Sequence, residues 1–73
     1  KMNKQILIAM DWKNRSKEEL KENYEAAANA AAVAYAAANS NNPAAIEYWL
    51  KEYLEKTGEN REDYEKALGD MRK

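Results

Sequence analysis

The chain has 73 residues, with 12 lysines and arginines against 13 aspartates and glutamates, a net charge of −1, and neither cysteine nor histidine. Disulfides, cysteine or histidine zinc sites, haem ligation and imidazole acid–base chemistry are therefore excluded, and the whole-domain charge is wrong for a nucleic-acid footprint. One core of this size yields only about 3–5 kcal/mol, so association with other chains is the available reinforcement.

Residues 2–13 begin with a short apolar run, Gln5 to Met10, that periodicity alone leaves open between strand and helix. No second strand candidate exists to pair with it, so it is read as a helix presenting Met2, Ile6, Leu7 and Met10. The segment has no small-residue cleavage site before Asp11-Trp12-Lys13 and does not read as a signal peptide. Lys1, Lys4, Lys13, Arg15 and Lys17 surround Trp12, and together they could grip an anion.

Asn14 and Arg15 form a break, after which Ser16-Lys17-Glu18-Glu19 has the form of a capping box. The following segment is predicted as one helix over residues 17–39. Ten of the thirteen residues from Ala26 to Ala38 are alanine, the residue of best intrinsic helix propensity. At 3.6 residues per turn, Leu20, Tyr24, Ala27, Ala31, Ala34 and Ala38 form a core-facing stripe, flanked by Ala28 and Tyr35 on one side and by Ala26, Ala30, Val33 and Ala37 on the other. An apolar arc of roughly 220° is more than a surface helix needs. The face Ala26, Ala30, Val33, Ala37 is accordingly the expected self-association surface. The uncharged run Ala26 to Ile46 has the length of a membrane span, yet its asparagines, serine and proline argue against insertion.

Asn39-Ser40-Asn41-Asn42 ends that helix, and Pro43 suits the first turn of the next. Residues 43–56 place Ile46, Trp49, Leu50, Tyr53 and Leu54 on one face, with i,i+4 pairs Glu47–Lys51 and Glu52–Lys56 outside. Thr57-Gly58 terminates the helix, Gly58 being suited to the left-handed capping conformation. Asn60 can cap a last helix over 61–71, whose first turn carries Glu62 and Asp63 and whose inner face is Tyr64, Ala67, Leu68 and Met71. The fold class that results is all-α: a single domain of three to four helices around a central alanine-rich helix.

Catalytic chemistry is not indicated. Glu18, Glu22 and Glu25 share a face, but acids near a helix start and glutamates on exposed faces are ordinary, so no metal site is assigned. Ser16, Ser40 and Thr57 lack a histidine to activate them, and Gly58 and Gly69 stand alone, so neither a hydrolase triad nor a phosphate loop is present. The expectation is no catalytic residue and no cofactor. The aromatics are two tryptophans and five tyrosines without phenylalanine, and each has a polar group suited to a half-wet site. Tyr24, Trp49, Tyr53 and Tyr64 are expected to fill the space facing the alanines. Trp12, Lys13, Arg15, Lys17, Tyr35 and Tyr48 are the candidates for binding a partner or ligand.

The segments DWKN-x-SKEELKEN at 11–23 and WLKEYLEKTGENREDYEKAL at 49–68, with an Ala/Tyr run between them, resemble small alanine-rich helical accessory proteins of large tailed bacteriophages. The resemblance implies a cytoplasmic protein acting on a host or defence component, either by binding a host protein or by sequestering a small nucleotide, with no catalytic residues to carry over. A designed alanine-rich bundle would share the composition. The leading expectation is a non-catalytic, self-associating interaction protein without membrane contact; the alternative is a nucleic-acid-associated regulator using the basic N-terminal region.

Overall fold

In the computed structural model, which describes residues 2–39 and 42–71, five α-helices follow one another: α1 Lys4–Met10, α2 Lys17–Ala26, α3 Ala31–Asn39, α4 Pro43–Thr57 and α5 Arg61–Met71. A single 3-10 turn, Trp12–Asn14, joins α1 to α2. Of the residues read above, Lys1, Ser40 and Asn41 lie outside the described segments.

Side chains that satisfy free amides set most boundaries. The Asn3 side chain accepts from the Gln5 amide at 2.9 Å and opens α1. Ser16 and Glu19 form the expected capping box, the Glu19 amide donating to Ser16 Oγ at 3.1 Å and the Ser16 amide to Glu19 Oε1 at 3.0 Å. Asn42 accepts from the Ala44 amide at 3.0 Å with Pro43 in the first turn of α4. Gly58 closes that helix at φ +74°, a conformation that costs side-chain-bearing residues more than glycine. Asn60 accepts from the Glu62 amide at 2.8 Å at the start of α5.

The helix expected over residues 2–13 is confined to Lys4–Met10, with the 3-10 turn Trp12–Asn14 after it, and a second boundary departs further from expectation. The segment 17–39 is two helices, because the chain leaves the helix at Ala27, with φ −77° and ψ 133°, and re-enters it at Ala31. Unbroken, those 23 residues would span about 35 Å, longer than the 30 Å long axis of the molecule. Breaking the rod costs a few hydrogen bonds of the helical ladder, and it allows α3 to fold back against α2 and to pack also on α1 and α4. Local propensity favours the rod and burial favours the break; burial wins. Asn29 sits within the break and is exposed, consistent with a residue that competes with the helix for backbone hydrogen bonds.

The break also changes which alanines are covered. Val33, Ala34, Ala36 and Ala37 of α3 and Ala30 before it are buried, together with Ile6, Ala9, Leu20, Ile46, Leu50, Tyr53, Tyr64 and Leu68. Of the expected stripe, Leu20 and Ala34 are buried, Ala27, Ala31 and Ala38 are half-buried, and Tyr24 faces out. Of the set expected on the first helix only Ile6 is fully covered, Leu7 and Met10 being half-buried and Met2, which precedes α1, exposed; in α5, Met71 is exposed. The expected self-association face is corrected here. Ala30, Val33 and Ala37 belong to the core of the single chain and only Ala26 is exposed, so these methyl groups are covered by the chain's own helices.

Two polar contacts tie distant segments together. Asn23, buried on α2, donates through Nδ2 to the Gln5 carbonyl of α1 at 3.0 Å. The buried Tyr64 hydroxyl accepts from the Asn3 amide at 2.7 Å and donates to Glu59, which also accepts from the Tyr53 hydroxyl at 3.0 Å. Burial first and the Glu59 carboxylate second raise both phenols above their ordinary value of 10.0.

Two outcomes follow from this packing. Ala30→Glu places an unpaired carboxylate in a filled core, a change worth about 3–5 kcal/mol, and should abolish the helical circular dichroism of so small a domain. Tyr64→Phe removes a hydroxyl with two partners and should lower stability by about 1–3 kcal/mol in urea melts at neutral pH. The folded chain holds the tyrosine protons to higher pH than the unfolded chain, so stability is intact below pH 10 and falls as pH rises beyond it. That alkaline fall should be shallower in Tyr64→Phe.

Candidate functional site

The α4 helix has more large side chains than its buried face can hold. Ile46, Leu50 and Tyr53 point inward, and Trp49 and Tyr48 remain 42 % and 59 % exposed. Their rings meet edge to face, with centroids 5.0 Å apart and an interplanar angle of 84°. A second pair joins α2 to α3, where Tyr24 and Tyr35 lie 5.3 Å apart at 66° and are 37 % and 54 % exposed. The expectation that Tyr24 and Trp49 fill the interior is thus corrected, whereas Tyr53 and Tyr64 do fill it. Methyl groups of α3 let α4 approach too closely for an indole between them, and the indole is left at the edge. Beside Trp49 lies a groove of about 300 Å³ between α3 and α4, lined by Ala32, Val33, Asn29, Tyr53 and Lys56.

A larger cleft, about 600 Å³, opens where the 3-10 turn faces α4 and the start of α5. Trp12 and Lys13 line it from the turn, Ile46 and Leu50 from α4, and Arg61 from α5. The Lys13 ammonium sits 5.7 Å from the centre of the Trp12 ring, a cation–π distance. Arg61 donates through Nη2 to both oxygens of Glu47, at 2.7 Å to Oε2, and through Nε to Glu65 at 3.3 Å. Glu47 therefore serves Arg61 of α5 and not Lys51 of its own helix. The Glu47 contact also holds the Arg61 guanidinium above its ordinary pKa.

Of the six residues expected to bind a partner or ligand, the structure brings Trp12 and Lys13 into this cleft. Arg15 lies beside it and is engaged within the chain, 3.1 Å from Asp11 and 3.7 Å from Glu19. The Ser16 amide, bonded to its carboxylate, keeps Glu19 below the usual 4.5. Lys17 is exposed in the first turn of α2. Tyr35 and Tyr48 fall into the two separate ring pairs.

Arg61 and Trp49 were not among the expected binding residues. Arg61 carries a signal, since a cation in the first turn of a helix opposes the helix dipole and implies a compensating partner. Trp49 carries none, because its spacing matches the buried stripe of α4. Among the described residues no cluster of acidic side chains could hold a metal ion, and no helix is long and apolar enough to cross a membrane.

Truncating a fully buried tryptophan costs about 3–5 kcal/mol. With 42 % of its surface in water, Trp49→Ala should cost less than about 2 kcal/mol in urea denaturation, with the helical spectrum retained. No protein-family model, no curated protein and no solved structure matches this chain.

Proposed function

We propose that this chain is a non-catalytic interaction protein that self-associates through the aromatic surface of α4, Tyr48 and Trp49, beside the groove against α3. The observation that carries the reading is the pairing of four of the seven aromatic residues on the outside of the molecule. Tyrosine and tryptophan are the residues most enriched at the energetic centres of protein interfaces, where a rigid ring gives large contact area at small entropic cost. A domain this small has reason to cover such rings with a second copy. The resemblance to phage accessory proteins supplies a host protein as the other class of partner.

The basic N-terminal region offers less to a nucleic acid than its composition suggests. Arg15 is held between two acids, and Lys13 lines a cleft with Trp12, so among the described residues the cations do not form one open stripe that tracks a phosphate backbone.

Sedimentation equilibrium tests the proposal. The unaltered chain should give a mass above that of the monomer that falls on dilution, and replacing both Tyr48 and Trp49 by serine should give the monomer mass with the helical spectrum intact. A double variant of unchanged mass removes α4 as the interface.

A further inference from the structure

We infer that the cleft between the 3-10 turn and α4 is a binding site for a small organic anion, one with a flat apolar body and a single carboxylate or phosphate group. The site is separate from the α4 aromatic surface and stands without it.

Its size, about 600 Å³, lies within the range of small-molecule sites, roughly 300–1,000 Å³. Its chemistry is divided. Met10, Pro43, Ile46 and Leu50 supply an apolar wall adjoining the Trp12 indole, the kind of surface that takes a flat hydrocarbon body. Lys13 and Arg61 supply positive charge along the same cleft.

Both cations keep donors in reserve. Among the described residues Lys13 forms no ion pair, and its ammonium lies near the Trp12 ring. Among the described residues the side-chain hydrogen bonds of Arg61 leave from Nε and Nη2 and none from Nη1, which keeps its donors for a ligand. The guanidinium plane is held by Glu47 and Glu65, and Nη1 is thereby oriented in advance, which reduces the ordering a ligand must impose. The acids of the cleft are already matched. Glu47 takes Arg61, and Asp11 accepts from Asn14 at 2.9 Å and from Arg15 at 3.1 Å. An incoming carboxylate or phosphate oxygen would find two donors without a protein acceptor. A neutral ligand of the same shape would gain only the apolar wall.

The two tryptophans of the chain make the test direct. In ¹H–¹⁵N spectra of the labelled full chain, the Trp12 and Trp49 indole N–H signals report the cleft and the α4 surface separately. Titration with 2-naphthoate should move the Trp12 signal saturably and leave the Trp49 signal in place. The neutral analogue 2-naphthylmethanol should bind about tenfold more weakly, and Lys13→Gln should weaken 2-naphthoate binding about fivefold, in line with the loss of one charge-assisted contact at an exposed site. Arg61→Gln should act likewise, and where it disturbs the fold the exposed Lys13 variant still decides the matter. Titration with 2-naphthyl phosphate in parallel tells a phosphate ligand from a carboxylate one by which binds more tightly. A Trp12 signal unmoved up to about 5 mM, equal affinity for the neutral analogue, or a Lys13→Gln protein that binds as before would overturn the assignment.

Discussion

The closeness of helix α3 to its neighbours is the constraint on which the rest of the molecule depends. Its inner positions are Val33, Ala34, Ala36 and Ala37, and side chains this short cannot reach across a gap, so the neighbouring helices must come to the backbone. Alanine methyls bury little area each. The apolar area comes instead from what closes over them: Ile6 from α1, Leu20 from α2, and Ile46, Leu50 and Tyr53 from α4. A smooth, thin helix in the middle with bulky residues converging on it is a way to fill a small core without voids.

Close approach has two costs that shape the outside. A core without phenylalanine buries hydroxyls along with its rings, and each hydroxyl needs a partner. Tyr53 and Tyr64 meet this by sharing Glu59 just beyond α4, and Tyr64 also takes the Asn3 amide. The second cost is displaced bulk. Where helices are near, an indole or a further phenol does not fit between them, and Trp49, Tyr48, Tyr35 and Tyr24 stand at the rim in edge-to-face pairs. Surface aromatics are thus a consequence of the alanine core.

The features that could be read directly in the chain are those decided within a few residues. Ser16 with Glu19, Asn42 with Pro43, Gly58 and Asn60 each act on amides or torsions no more than three positions away, and each marks its helix end as expected. The break at residues 27–30 is different, because every local preference there favours continuing; only the tertiary gain from folding α3 back explains it, and alanine carries no trace of that gain. Trp49 fails for a related reason. Helical periodicity assigns it to a stripe, but whether a stripe position is covered depends on how near the facing helix lies. Trp12 and Lys13 were legible as an aromatic beside cations, whereas their joining with Arg61, 48 residues away, required the course of α4 and α5.

Helix α4 is the common wall of both candidate surfaces. Ile46, Glu47 and Leu50 face the cleft under Trp12, and Trp49, Tyr53 and Lys56 face the groove against α3. These sets are separated around the axis of one helix, so neither surface can move without the other unless the helix rotates or frays. Its ends oppose both. The first turn, which begins at Pro43, is capped by Asn42 accepting from the Ala44 amide, Gly58 closes the far end with its amide 2.9 Å from the Leu54 carbonyl, and the Thr57 hydroxyl donates to the Tyr53 carbonyl at 2.9 Å. The Arg61–Glu47 pair then fixes the start of α5 to the outer side of the same helix. Helix α4 is thus a bar between two hollows, held by the caps and cross-links at its ends and not by the alanine run that dominates the sequence.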